Sequence, residues 1–308
     1  MKSTVAEIID WLKGVKYGCS ARDKLVLLVY IISAVIVITF IVGLYGKERA
    51  AKIILKRPNL VNWLPAGNIL VKIDGIFLSL PVMIDYMVFV KEDWEKKERE
   101  FASNLVSDNG SILDIGANAG HYTAFLAKKN PKSKIISVEA SENIFNILKE
   151  NCELNKLENV SLYNLAVSDE DDELLDFFER ESLSTTQKEH LEFWHVPLEQ
   201  IRRTQVKTIT IDSLIKKENL DKVILLKIDI EGAEVLALKG ASSALQEKKI
   251  KNMIIEYHTP QNKILIEKML KDLGYSILVD PRSIFFESKD IAIGHIIATK
   301  ELNQSSMQ

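Results

Sequence analysis

The stretch LLKIDIEGAEVLALKG, Leu225 to Gly240, places Asp229, Glu231 and Glu234 within six positions, where an apolar run gives way to a helical pattern. A second run, NMIIEYH, ends in Glu256 and His258. Carboxylates and an imidazole at strand ends can take a proton, orient a hydroxyl or hold a cation. On an extended strand Lys227, Asp229 and Glu231 project to one side and Ile228 and Ile230 to the other. Lys227 can therefore pair with an acid, depress its pKa and favour an orienting role over that of a base. Glu234 falls in a first helical turn, where a carboxylate meets the helix dipole favourably, and it reads as a helix-start residue. His258 has the ordinary pKa best suited to a base. A divalent cation held by Asp229 and Glu256 is a second route to acidifying a hydroxyl, but the sequence shows no dedicated oxygen-ligand cluster and no metal ligands are assigned.

A different chemistry is written in LDIGANAGHYT, where Asp114 precedes Gly116 and Gly120 at a strand-to-helix turn. Glycine lets the backbone turn sharply and lets a ligand approach, and the next helix start offers free N–H groups. Asn118 stands where a dinucleotide fingerprint has its middle glycine, and no third glycine follows, which disfavours a phosphate-clamping loop. Glu139 ends the next apolar run, placed to accept hydrogen bonds from both hydroxyls of a ribose; a solvated acid beside the helix cap Ser141 is the plainer alternative. Tyr122 can line a pocket or simply pack.

These residues need a scaffold that brings strand ends together. From Ser111 onward the β-rich runs SILDIGA, KIISVEA, VSLYNLAV, VILLKIDI, NMIIEYH, YSILV and IAIGHIIAT alternate with helical patterns at Tyr122 to Lys129, Glu142 to Leu154, Ala233 to Leu245 and Lys263 to Leu273. That alternation predicts an α/β domain with a mainly parallel sheet, whose central strands are apolar on both faces. Ligands in such sheets sit beyond the carboxyl ends of the strands, the address shared by Asp114 to Gly120, Glu139, Ala166 to Ser168, Asp229 to Gly232 and Glu256 to His258.

LDIGANAG, VEASENIFNILKENCELN, LAVSDEDDEL, TITIDSL and LLKIDIEGAEVLALKGA, in that order, resemble the FkbM family of S-adenosylmethionine-dependent methyltransferases over roughly Phe101 to Thr299. The resemblance implies a Rossmann-like class I fold with a seven-stranded sheet, S-adenosyl-L-methionine at the first two strand ends, and O-methylation of a sugar, lipid-linked glycan or small metabolite. It places Asp114, Gly116, Asn118 and Gly120 at the methionine portion, Glu139 at the ribose, and Ala166, Val167 and Ser168 at the adenine edge. The family often carries proline after the ribose acid; Ala140 stands there in this chain. SLSTTQ, Ser182 to Gln187, resembles a substrate-side loop, with a polar surface loop as the alternative; His190, Trp194 and His195 beside it suit a glycan contact or packing. Methyl transfer to an alcohol needs alignment and removal of a proton. Asp229 is the first candidate for that end of the site, Glu231 the second, and Glu256 and His258 are alternative bases.

Leu25 to Tyr45 carries no charge and no proline, and as a helix it covers about 30 Å, the depth of a bilayer core. It is expected to be a retained membrane anchor, with a cytoplasmic catalytic body favoured slightly by the flanking lysines and arginines. The expected organisation is an N-terminal segment (1–24) that is either a short interfacial helix or a disordered leader, a transmembrane helix (25–46), a linker with hairpin and helix (47–100), a methyltransferase domain (101–300) and a flexible tail (301–308). Of 308 residues, 47% are hydrophobic, and the net charge of -3 gives no basic field for nucleic acid. Cys19 and Cys152, far apart, make neither a zinc site nor a disulfide framework. The resemblance implies a glycan, lipid-linked saccharide or small-molecule acceptor; oligomeric state is not legible. The rivals are an oxidoreductase, which the missing third glycine disfavours, and a non-catalytic membrane adaptor that keeps the fold.

Overall fold

A computed structural model of the chain describes residues 12–45, 67–81, 96–106, 110–180, 183–186, 201–278, 284–287 and 292–300. The expected interfacial helix before residue 12, the linker 47–65, His190, Trp194 and His195, and the tail lie outside the described residues.

Helix α1 (Ala21–Tyr45) begins four residues before the uncharged run, because Ser20 and Asp23 form a reciprocal cap. The Ser20 hydroxyl accepts the Asp23 N–H at 3.0 Å, and an Asp23 carboxylate oxygen accepts the Ser20 N–H at 3.1 Å. Leu27, Tyr30, Ile31 and Ala34 are buried on one face. Leu25, Ile32, Ile36, Phe40 and Leu44 are exposed. The stretch Ala21–Val42 is long and apolar enough to cross a membrane by length and composition.

Strands β1 (Asn68–Ile73) and β2 (Ile76–Pro81) form the hairpin that Asp74-Gly75 predicts. Both turn residues have positive φ, 50° and 81°, as a two-residue hairpin turn of this hand requires. Helix α2 (Lys96–Leu105) supplies Arg99, which pairs with Asp74 at 2.8 Å.

The α/β body follows as β3 (Ser111–Ile115), α3 (His121–Lys129), β4 (Lys134–Val138), α4 (Glu142–Leu154), β5 (Val160–Tyr163), β6 (Ala166–Val167), β7 (Leu174–Arg180), β8 (Leu183–Thr185) and β9 (Arg202–Ile209). Then come α5 (Ile211–Lys217), β10 (Val223–Ile228), α6 (Glu234–Lys239), α7 (Ser242–Gln246), β11 (Ile250–Tyr257), α8 (Pro260–Asp272), β12 (Ser276–Leu278), β13 (Ile284–Glu287) and β14 (Ala292–Thr299). The main sheet runs β12-β14-β11-β10-β3-β4-β5, with β13 also paired to β14. Strands β11, β10, β3, β4 and β5 are mutually parallel, and β14 is antiparallel to its neighbours. This is the Rossmann-like class I methyltransferase arrangement, in which the chain reverses direction across the sheet between β3 and β10 and opens a crevice there.

Both faces of the sheet are covered, which is why its central strands read as unbroken apolar runs. Leu113, Ile115, Leu226 and Ile228 face a core with α5 to α8, whereas Ile112 and Ile135 face α1, α3 and the hairpin. Each such side chain contributes about 1.5–3 kcal/mol by leaving water.

Two features differ from expectation. The helix anticipated over 233–245 is two helices, because the Asp212 carboxylate accepts the N–H groups of Ser243 and Ala244 at 2.8 and 2.9 Å and starts α7 afresh. A second, four-stranded sheet, β6-β9-β7-β8, flanks the first two strand ends.

Candidate active site

The first strand end is shaped by three residues with positive φ, Gly116, Asn118 and Gly120. At Gly116 a Cβ would stand 1.8 Å from the carbonyl oxygen of Asp229, so glycine here lets the ends of β3 and β10 touch. At Gly120 a Cβ would meet Leu148 of α4 at 2.6 Å. Asp114 is fully buried behind the loop; its Oδ2 accepts the Thr123 hydroxyl at 2.6 Å and its Oδ1 lies 3.6 Å from Lys227.

Glu139 ends β4 and is almost wholly buried. Its two oxygens accept the backbone N–H groups of Asn118 and Ser141, each at 2.9 Å. Burial pushes its pKa up to about 7, with those two N–H groups and Lys227 pulling partly back. Ala140, where the family often has proline, lies in a turn held by Asn164, whose side-chain amide donates to the carbonyls of Glu139 and Ala140, both at 2.9 Å. Ser141 caps α4 and donates to Glu179 of β7 at 2.6 Å, latching the second sheet to this corner.

A cavity partly open to solvent lies over these strand ends. Gly116, Asn118, Glu139, Ala166, Val167, Asp229 and Glu231 line it. Asp114, Gly120 and Ser168, expected on the cofactor, are not among the residues that line it. Ser168 donates its backbone N–H to the Ile209 carbonyl, and its own carbonyl leaves room for no side chain at Gly240. Tyr122 is packed in the core under Lys227 and does not line the cavity.

Strand β10 stops at Ile228, so the two-residue alternation expected to align Asp229 with Glu231 does not extend to them. Glu231 has φ 51° and Gly232 φ 105°, and it is this tight turn that delivers both acids to the cavity. Lys227 donates to the Gly116 carbonyl at 2.9 Å and to Asp229 Oδ2 at 3.3 Å. Burial would raise the Asp229 carboxyl, but Lys227, His258 and His295 outweigh it and hold the group below its ordinary range. Asp229 thus stays ionised beside Lys227.

His258 is buried, with Nδ1 2.9 Å from Glu234 Oε1. Its Nε2 faces Glu231 at 3.4 Å, Glu256 at 3.6 Å and Asp229 at 3.9 Å. Burial alone would lower its pKa, but Glu231, Glu234 and Glu256 hold it well above the ordinary value, which favours the protonated imidazole and leaves less of it free to take a proton. Burial and Asp229 raise Glu256, whose other oxygen lies 3.2 Å from His295.

Glu234 is more than a helix-start residue. Fully buried, it also accepts the Gly232 N–H and the Asn262 amide, each at 2.9 Å. Phe177, Ile144 and Leu165, which also line the cavity, carried no sequence signal beyond apolarity. Ser184, Thr185 and Thr186 of the expected substrate-side loop do line it, and the Thr185 hydroxyl donates to the Glu231 carbonyl at 2.8 Å.

Comparison with known proteins finds methyltransferases. The model of the methyltransferase FkbM domain matches residues 114–277. "Methyltransferase 1" of Beauveria bassiana is 26% identical over 187 residues, 56% of this chain and 75% of that one. "Methyltransferase sdnD" of Sordaria araneosa is 27% identical over 206 residues, 58% and 78% of the two chains. Among solved structures, M. jannaschii TYW2 in complex with AdoMet aligns with TM-score 0.43 at 16% identity, covering 75% of this chain and 85% of that chain.

Proposed function

Because the chain belongs to the methyltransferase FkbM family, we propose that it transfers the methyl group of S-adenosylmethionine to a hydroxyl of a glycan or lipid-linked saccharide at a membrane surface. The observation that carries this reading is the cavity itself, which joins the Gly116 loop and Glu139 at one end to Asp229 and Glu231 at the other. Its residues fit the cofactor: close-packed glycine backbone, a buried carboxylate for ribose hydroxyls, and apolar Ala166, Val167 and Phe177 for a flat base.

When bound there, S-adenosylmethionine supplies a sulfonium methyl group: the acceptor oxygen forms the new C–O bond as the S–C bond breaks and leaves its electron pair on sulfur. Asp229, kept ionised by Lys227, orients the acceptor hydroxyl with Glu231. Glu256, raised by burial, is the carboxylate best tuned to hold the proton, and it stands beside His258, off the cavity wall. Phosphate-rich acceptors would meet the negative field of Asp229, Glu231 and Glu256, which favours a neutral, hydroxyl-bearing acceptor over nucleic acid.

The exposed apolar face of α1 supports membrane attachment, and a cytosolic supply of cofactor favours a cytoplasmic catalytic body. Anchoring would raise the local concentration of a lipid-linked acceptor. The test is to incubate the full chain with methyl-labelled cofactor and a membrane glycolipid extract. Label in the glycolipid fraction supports the proposal; label only in added RNA, or in no acceptor, counts against it.

A further inference from the structure

We propose that Asp229, Glu231 and His258 form a divalent-cation site at the acceptor end of the cavity, an inference that rests on the methyl-transfer reading above. One ligand atom from each residue can be chosen so that all lie within 4.8 Å of one another. His258 Nε2 is 3.4 Å from Glu231 Oε2 and 3.9 Å from Asp229 Oδ1. Two ligand atoms each about 2.1 Å from one ion stand about 3.0 Å apart at a right angle, about 3.4 Å at a tetrahedral angle and at most about 4.2 Å. The two spacings from His258 fall in that range.

The histidine distinguishes this group from an acidic surface patch. Only 3% of His258 is exposed, and its Nδ1 is engaged by Glu234. Glu234 is itself fixed by Gly232 and Asn262. A carboxylate on Nδ1 sets the proton there and turns Nε2 toward the acids, the support that metal-ligating histidines ordinarily receive. Charge points the same way. Asp229, Glu231, Glu234 and Glu256 lie around the His258 imidazole, with Lys227 beside Asp229 and His295 beside Glu256. A divalent cation offsets that excess.

Two carboxylates and one imidazole suit Mn²⁺ or a similar cation, with positions left open for a hydroxyl. An ion so placed lowers the pKa of an acceptor hydroxyl. The O–H bond then breaks toward Glu256, and the oxygen keeps the electron pair that forms the C–O bond.

The test strips the full-length protein with a chelator and titrates it with MnCl₂ alone, reading free Mn²⁺ by electron paramagnetic resonance. One saturable site per chain is expected. Glu231→Gln, at a partly exposed position, should weaken it by about tenfold or more, and the supporting change Glu234→Gln by about 10–100-fold. Thermal unfolding checks that each variant is folded. Absence of saturable binding at millimolar Mn²⁺, or equal binding by wild type, Glu231→Gln and His258→Ala, overturns the site. Calorimetry with S-adenosylmethionine on the same samples separates the two claims. A chain that binds cofactor but not Mn²⁺ overturns the ion site alone; one that binds Mn²⁺ but not cofactor contradicts the methyl-transfer reading and removes the role given to the ion.

Discussion

Glu139 accepts the backbone N–H of Asn118 at 2.9 Å, so the acid proposed to meet a ribose also ties the glycine loop to the end of β4. The proposed ligand contact and the loop shape then rest on one carboxylate, and its protonation should move both.

Folded Glu139 has a pKa of about 7 against an ordinary 4.5. Between those values the folded chain holds more protons than the unfolded one, so this group's contribution to stability is fully present below about pH 4.5 and declines as pH rises toward 7. The loss is at most about 3 kcal/mol. Ionised Glu139 is the better acceptor for ribose hydroxyls, so cofactor affinity should rise over the same interval. Thermal unfolding and calorimetry from about pH 5 to 8 check both trends, and Glu139→Gln should flatten them. A wild-type affinity independent of pH would contradict the assignment.

Gly116→Ala should be far more damaging than Gly75→Ala, although both positions have φ near 80°. Gly75 has open space around its would-be Cβ, whereas that of Gly116 would stand 1.8 Å from the Asp229 carbonyl. The conformational cost, about 1 kcal/mol, is common to both; the collision is added only at Gly116. Comparable melting temperatures for the two variants would show that β3 and β10 do not meet as described.

Glu234→Ala removes the acceptor for His258, Asn262 and Gly232, and should cost at least about 3 kcal/mol in stability. Asp229→Asn should leave the fold intact. Both should lower turnover with little change in cofactor affinity, because Glu139 and the Gly116 loop remain. If turnover were unchanged in Asp229→Asn, that residue would have no place in the mechanism.

Ile36→Arg with Phe40→Arg puts charge on the exposed face of α1 without entering the buried face at Leu27 and Tyr30. A charge at bilayer depth costs about 2.5–3.5 kcal/mol per residue on insertion scales. Membrane flotation should show the doubly substituted chain released and still folded; retention equal to wild type would argue against membrane burial of that face.

Much of this was legible because local chemistry and global fold agree. Helix α4 follows from Ser141 at its cap and the spacing of Ile144, Leu148 and Cys152, and the strand runs follow from burial on both faces. What was hidden depends on partners remote in sequence. The break before α7 is made by Asp212, roughly thirty residues away, and Glu234 gains its role only when Asn262 and His258 close around it. The acids at 229 and 231 were found by type, but their shared direction comes from a left-handed turn at Glu231, where the sequence offers only Gly232 as a hint.

The central claim is that the cavity between Gly116, Glu139 and Asp229 binds S-adenosylmethionine, and isothermal titration of the full chain with that cofactor tests it most directly. The account predicts saturable one-to-one binding, weakened by Glu139→Ala and retained by Asp229→Asn. Absence of binding by a folded wild-type chain, or binding indifferent to Glu139→Ala, would contradict it.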